Sequence, residues 1–158
     1  MQDQPSICIA GIGNILRSDD GIGAYVCKEL EKEHLPNATF HYPHQLQTEW
    51  LEEFSRYEYV LLIDAIADGT NDIQLYLLKP AGQATTSASH HLDTGILAGL
   101  LTGLFEKPPQ IMICAVGGQD FSFGETLSDQ GKINADKAVE KIKSWLKEKG
   151  FIPSPGSE

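Results

Sequence analysis

Three short runs in this chain are apolar at nearly every position: Ile7–Gly11, residues 59–64 and residues 111–116. A strand with one wet face alternates polar and apolar side chains, so runs like these belong to strands covered on both faces. Such strands form a mostly parallel sheet between layers of helix, and the intervening segments carry helical periodicity. Ile22, Val26 and Leu30, with Tyr25 beside them, predict a helix over residues 20–34, stopped by Leu35-Pro36-Asn37. Trp50, Leu51 and Phe54 mark a short amphipathic helix. Leu97, Leu100, Leu101 and Leu104 mark another over residues 92–105, and Ala135, Ala138, Val139, Ile142, Trp145 and Leu146 form the stripe of a last one. Residues 38–42 and 73–78 read as weaker strands. The order β-α-β-α-β-β-α-β-α predicts a three-layer α/β domain on a mostly parallel sheet. Between residues 64 and 73 the link is too short for a crossover and resembles a hairpin turn, so the 73–78 strand is expected to run antiparallel to the 59–64 strand.

With 158 residues, no internal repeat and no low-complexity linker, the chain is read as a single domain over residues 1–150 and a frayed tail over residues 151–158. Twelve Lys and Arg against twenty-two Asp and Glu give a net charge of −10. That field repels phosphate backbones and anionic lipid, which argues against nucleic-acid and membrane partners. The N-terminus has no basic region ahead of its short apolar run, and no apolar stretch approaches the roughly 18 residues of a membrane span. A cytoplasmic protein is expected. Cys8, Cys27 and Cys114 are odd in number, widely spaced and set in apolar runs, as expected of small buried hydrophobes.

In an open α/β sheet, ligands bind beyond the carboxyl ends of the strands. Four polar stretches fall there: GIGNILRSDDGIG, HQLQTE, DAIADG and SASHHLDTG. The first lacks the third glycine of a dinucleotide fingerprint, since Leu16 occupies that position, and lacks the lysine of a P-loop. Ser18, Asp19 and Asp20 are candidate N-caps; one cap suffices, which leaves a second carboxylate free to face the crevice. Asp64 closes an apolar strand and either anchors a neighbouring loop or serves as a ligand or general base. His90 and His91 point opposite ways in extended chain, so one can face the crevice, with Ser87, Ser89 and Asp93 as candidate caps of the next helix and Asp93 also a candidate partner of an imidazole nitrogen. Asp20, Asp64 and one histidine would suit a borderline divalent ion such as nickel, zinc or iron(II). No G-x-S-x-G elbow supports a serine hydrolase, and the buried thiols argue against a cysteine nucleophile.

GIGNILRSDDGIG, LLIDAI, SHH before an amphipathic helix, and GGQDFSFGETLS together resemble the maturation endopeptidases of nickel-iron hydrogenases over residues 7–146. The resemblance implies a twisted five-stranded sheet flanked by helices. It also implies an enzyme that removes the C-terminal extension of a hydrogenase large-subunit precursor after nickel insertion. By the same resemblance, Asp20, Asp64 and His90 are the metal-binding and catalytic set, probing nickel supplied by the precursor. Helical register favours His90 over His91, because the apolar pattern begins at Leu92. PHQLQTEW replaces the acidic-Gly-Gly-Thr stretch of many members and is similar to the branch serving cytoplasmic bidirectional or cofactor-coupled hydrogenases. His44 and Gln45, with Asp19 and His91, are then candidate substrate contacts. The competing expectations are a metal-dependent peptidase of other specificity, a non-enzymatic nickel-binding maturation factor, and a nucleotide-binding module.

Overall fold

A computed structural model describes residues 6–78, 103 and 105–152. Strand β1 (Ile7–Gly11) leads through a 3-10 turn (Ser18–Gly21) into helix α1 (Ile22–Glu31). There follow β2 (Ala38–His41), α2 (Trp50–Phe54), β3 (Tyr59–Ile66), β4 (Ile73–Leu77), β5 (Gln110–Gly117) and α3 (Asp129–Glu148). The strands form one five-stranded sheet in the order β2-β1-β3-β5-β4. All neighbours are parallel except β4, which pairs antiparallel with β5. The helix expected over residues 92–105 falls largely outside the described residues.

Alternation along the strands divides the core into two layers. Ile7 and Ile9 of β1, Leu61 and Ile63 of β3, and Cys114 and Val116 of β5 pack against α1 and α3. Cys8, Ala10, Val60, Leu62, Ile111 and Ile113 face the other way, against Leu51 and Phe54 of α2. This is the three-layer α/β architecture expected, and the strands that read as apolar throughout are the three central ones. Every member of the Ala135-to-Leu146 stripe on α3 is buried. The three cysteines are buried and unpaired, and burial pushes their thiols up, Cys8 and Cys114 to about 12 and Cys27 to about 11.

Three expectations are corrected. Strand β4 runs antiparallel within the sheet, but it is not a hairpin partner of β3, because β5 lies between them. Residues 67–72 pass over the end of β5, where Gly117 N donates to Asp72 O at 3.0 Å, and set β4 on the far edge. The physical reason is coverage: β5 is buried along almost its whole length and takes the interior position, whereas β4 is only partly buried and suits an edge. Helix α1 begins at Ile22, not Asp20, since the residues before it are wound into the tighter 3-10 turn. The tail expected to fray from residue 151 begins with a docked side chain: Phe151 is buried beside Tyr59 and Trp145. Gly150, at φ +86°, reverses the chain there, with Phe151 N donating to Leu146 O and Gly150 N to Lys147 O, a Schellman closure of α3.

Candidate active site

The carboxyl edge of β1 and β3 is shaped first by glycine. A Cβ at Gly11 would lie 2.2 Å from Gly23 O, and one at Gly23 would lie 2.5 Å from Ile63 O and 2.7 Å from Ile12 O. Only bare backbone lets the first turn of α1 rest directly on the two strands. Gly13 adopts φ +139°, and the chain turns there with Asp20 O only 2.0 Å from the position a Cβ would take. The glycines of GIGNILRSDDGIG therefore serve close packing of the strand, loop and helix.

Within that turn the two adjacent aspartates have different surroundings. Asp20 is buried, and its Oδ2 accepts a hydrogen bond from Asn14 N at 2.7 Å, which closes the loop back on the turn. Asn14 Oδ1 in turn accepts from Leu16 N at 2.9 Å. Asp64 is also buried, on β3 two residues before the strand ends at Ile66. Its register is set by the neighbouring pairs, Gly11 with Ile63 and Asp64 with Ala115, and Ile12 N donates to Ile63 O at 2.9 Å. The 3-10 turn that carries Asp20 packs against β3. Two buried carboxylates from separate elements thus arrive at one sheet edge, beside the loop of residues 12–14.

Asp19 is fully buried and faces the opposite partner, the loop after β5. Its Oδ2 accepts from Gln119 N (2.7 Å), Asp120 N (3.1 Å) and Ser128 Oγ (2.7 Å), and its Oδ1 from Ser128 N (2.8 Å). Burial alone would raise this carboxyl, but the hydrogen bonds from Gln119, Ser128 and Asp120 outweigh it and hold the group below the ordinary range. Ser128 Oγ also caps α3 by accepting from Gly131 N at 2.9 Å. With Asp19 N donating to Asp120 O, and Ser18 N to Gly124 O, residues 117–128 are fastened to the turn. The expectation that Ser18, Asp19 or Asp20 caps the first helix is not met: neither the 3-10 turn nor α1 has a side-chain cap. Asp19, expected as a substrate contact, has its carboxylate enclosed by these internal donors.

Beyond the turn lies an open groove of about 640 Å³, lined by Asn14, Ile15 and Leu16, by Lys28 and Glu31 of α1, and by Tyr42 and His44. His44 is therefore beside the loop that holds Asp20; Gln45 is exposed one residue further on and does not line the groove. His90 and His91 lie outside the described residues. Among the described residues no cluster of three or more His, Cys, Asp or Glu could hold a metal ion, so Asp20 and Asp64 would need a third donor from elsewhere.

Two further residues of this edge carry their signals in the sequence. Ser128 immediately precedes Asp129, the first residue of α3, and its type is one preferred at an N-cap. Asn134 stands one turn before Ala138 on the buried stripe, where a polar residue requires partners. Its Nδ2 donates to Gly117 O (2.9 Å) and Asn71 Oδ1 (3.2 Å), so it ties α3 to the end of β5 and to the loop leading to β4.

No protein-family model matches this chain, and no curated protein matches it in sequence. In three dimensions it resembles the hydrogenase maturating endopeptidase HybD from E. coli, with a TM-score of 0.71 and 21% identity over 92% of this chain and 94% of that one. The [NiFe] hydrogenase maturation protease HybD from Thermococcus kodakarensis gives 0.65 and 22% over 89% and 98%. An endopeptidase from Escherichia coli, solved in solution, gives 0.76 and 20% over 96% and 99%. The likeness is one of fold, and it extends over nearly the whole length of each chain.

Proposed function

We propose that this protein is an endopeptidase that removes the C-terminal extension of a nickel-iron hydrogenase large-subunit precursor. The observation that carries the reading is the pair of buried carboxylates, Asp20 and Asp64, at one edge of a fold shared with the hydrogenase maturation endopeptidases. The glycine-rich block and the DFSFGETLS loop, fastened together by Asp19, support the same reading. We assign the protein to that family and to its branch serving cytoplasmic bidirectional or cofactor-coupled hydrogenases.

In this proposal Asp20, Asp64 and His90 receive the nickel that the precursor already carries, a mixed carboxylate and imidazole set suited to a borderline divalent ion. The nickel is part of the substrate, where it supplies electrophilic polarisation of the scissile carbonyl or of water. One carboxylate takes the proton of the attacking water as its oxygen bonds to the carbonyl carbon, and passes it to the leaving amine as the C–N bond breaks. His44, Gln45 and His91 are assigned to contacts with the incoming peptide. The protein needs no resident cofactor for this chemistry and acts in the cytoplasm. No described helix is long and apolar enough to cross a membrane.

The test is to incubate the protein with nickel-loaded and with nickel-free precursor and follow the loss of the extension by mass. Cleavage confined to the loaded form is expected. Equal cleavage of both would remove nickel recognition from the proposal, and tight binding of free nickel without cleavage would favour a metal-carrying maturation factor.

A further inference from the structure

Large apolar side chains that remain exposed on a folded domain mark contact surfaces when they cluster. Among the described residues these are Ile15, Leu16, Tyr42, Leu77, Phe123 and Ile133. Four of the six lie at the carboxyl edge of the sheet: Ile15 and Leu16 after β1, Tyr42 after β2, and Phe123 after β5. Phe123 is the most exposed, at 82%.

The backbone beneath Phe123 is tied down. Gly124 N donates to Leu16 O at 2.9 Å, Ser18 N to Gly124 O at 2.8 Å, and Ser18 Oγ to Ser122 O at 2.8 Å. Asp120 Oδ1 accepts from both Ser122 N and Ser122 Oγ, and the Arg17 guanidinium sits 5.0 Å from the Phe123 ring centroid. An aromatic held out from the surface on an ordered loop loses little entropy on binding, the property of an interface anchor.

We infer that Phe123, with Leu16 and Ile15, is a docking surface for the folded body of the substrate protein, adjoining the groove that takes its cleaved segment. This inference rests on the proposed function. A protruding ring needs a concave apolar pocket to fill, which a folded surface offers and an extended tail does not. Ile15 and Leu16 also line the groove, so the patch is continuous with it. Exposed Asp120 and Glu125 flank Phe123 in sequence on a chain of net charge −10 and outnumber Arg17 at the ring; this sets the partner's complement, an apolar hollow whose rim carries more Lys and Arg than Asp and Glu.

The experiment compares the unsubstituted protein with Phe123→Ala, using purified large-subunit precursor and a synthetic peptide of its extension. Binding is measured directly, and kcat and KM by mass-resolved cleavage. Phe123→Ala is expected to raise Kd and KM for the precursor about tenfold, as for loss of an interface anchor. The kcat, the thermal midpoint and the peptide's affinity are expected to stay unchanged. Unaltered Kd, an effect confined to kcat, or equal weakening toward the peptide would overturn the docking surface. So would a dimer of the protein that Phe123→Ala dissociates. Binding of precursor that depends on Phe123, without any cleavage, would instead sink the proposed function and leave the docking surface standing.

Discussion

Ser128 donates to the Asp19 carboxylate through both its backbone N (2.8 Å) and its Oγ (2.7 Å), across 109 positions of sequence. The same Oγ accepts from Gly131 N, so one serine caps α3 and fastens that helix to the turn that carries Asp20. The closeness is enforced on the helix side too, because a Cβ on Gly131 would lie 2.3 Å from Asp19 Oδ1. Stability of the long helix and position of a candidate catalytic carboxylate are therefore coupled through a residue that does no chemistry.

Asp19→Ala should destabilise the domain by about 2–3 kcal/mol, since it leaves four part-buried donor groups without their charged acceptor. Urea unfolding followed by circular dichroism checks this. Ser128→Ala removes the cap and one of the four bonds, and should cost about 1–2 kcal/mol.

The depressed ionisation of Asp19 sets a pH dependence. A carboxyl whose folded value lies below its ordinary 3.8 contributes stability that is present above 3.8 and is lost as pH falls toward the folded value. The stability difference between the unsubstituted protein and Asp19→Asn should accordingly be constant from neutral pH to near pH 5 and shrink below about pH 4. Denaturant midpoints of both proteins at pH 7 and pH 3 measure it; a difference that grows on acidification would contradict the assignment.

Glycines of this chain differ in what a methyl group would meet. Gly23→Ala forces a Cβ to within 2.5 Å of Ile63 O, backbone that cannot move without disturbing β3. A loss of about 3 kcal/mol is expected, at the high end for overpacking. At Gly69 a Cβ meets nothing within 4 Å, and only its φ of +83° is unfavourable, so Gly69→Ala should cost about 1–2 kcal/mol. Thermal melting of the two variants separates the steric from the conformational cost.

If Asp20 and Asp64 perform the proposed hydrolysis, Asp64→Asn should retain fold and near-normal melting while precursor cleavage falls at least about 100-fold, the scale of a lost general base or ligand. Asp20→Asn should behave likewise. Single-turnover cleavage assays, with melting curves alongside, test both, and retained processing by either variant would remove that residue from the site.

Asp19 and Asp20 show where a sequence stops being informative. They are identical neighbours in a Ser-Asp-Asp-Gly turn, both plausible as caps, and neither acts as one. What distinguishes them is the direction each side chain takes: Asp19 toward Gln119, Asp120 and Ser128, and Asp20 toward Asn14 N. The first set of partners is about a hundred positions away, and no local periodicity encodes it. The placement of β4 follows the same logic, since local pattern sets a strand's character while competition for the covered interior sets its neighbour.

Much was nonetheless determined by the amino-acid sequence itself. Runs such as residues 60–63 and 111–116 are apolar throughout because both faces of a central strand are covered. The stripe on α3 has helical period because one face of that helix meets the sheet, and Gly11, Gly13 and Gly23 stand where the backbones of strand, loop and helix nearly touch. These are local or nearest-layer requirements, so they leave local marks. Tertiary structure alone decided which aspartate became a brace and which faces the loop after β1. It alone brought Phe123 beside Leu16, and put β5 between β3 and β4. Each of those outcomes depends on groups that meet only after the chain has folded, where the cost of a buried unpaired charge or an uncovered strand selects one arrangement over others equally consistent with the local pattern.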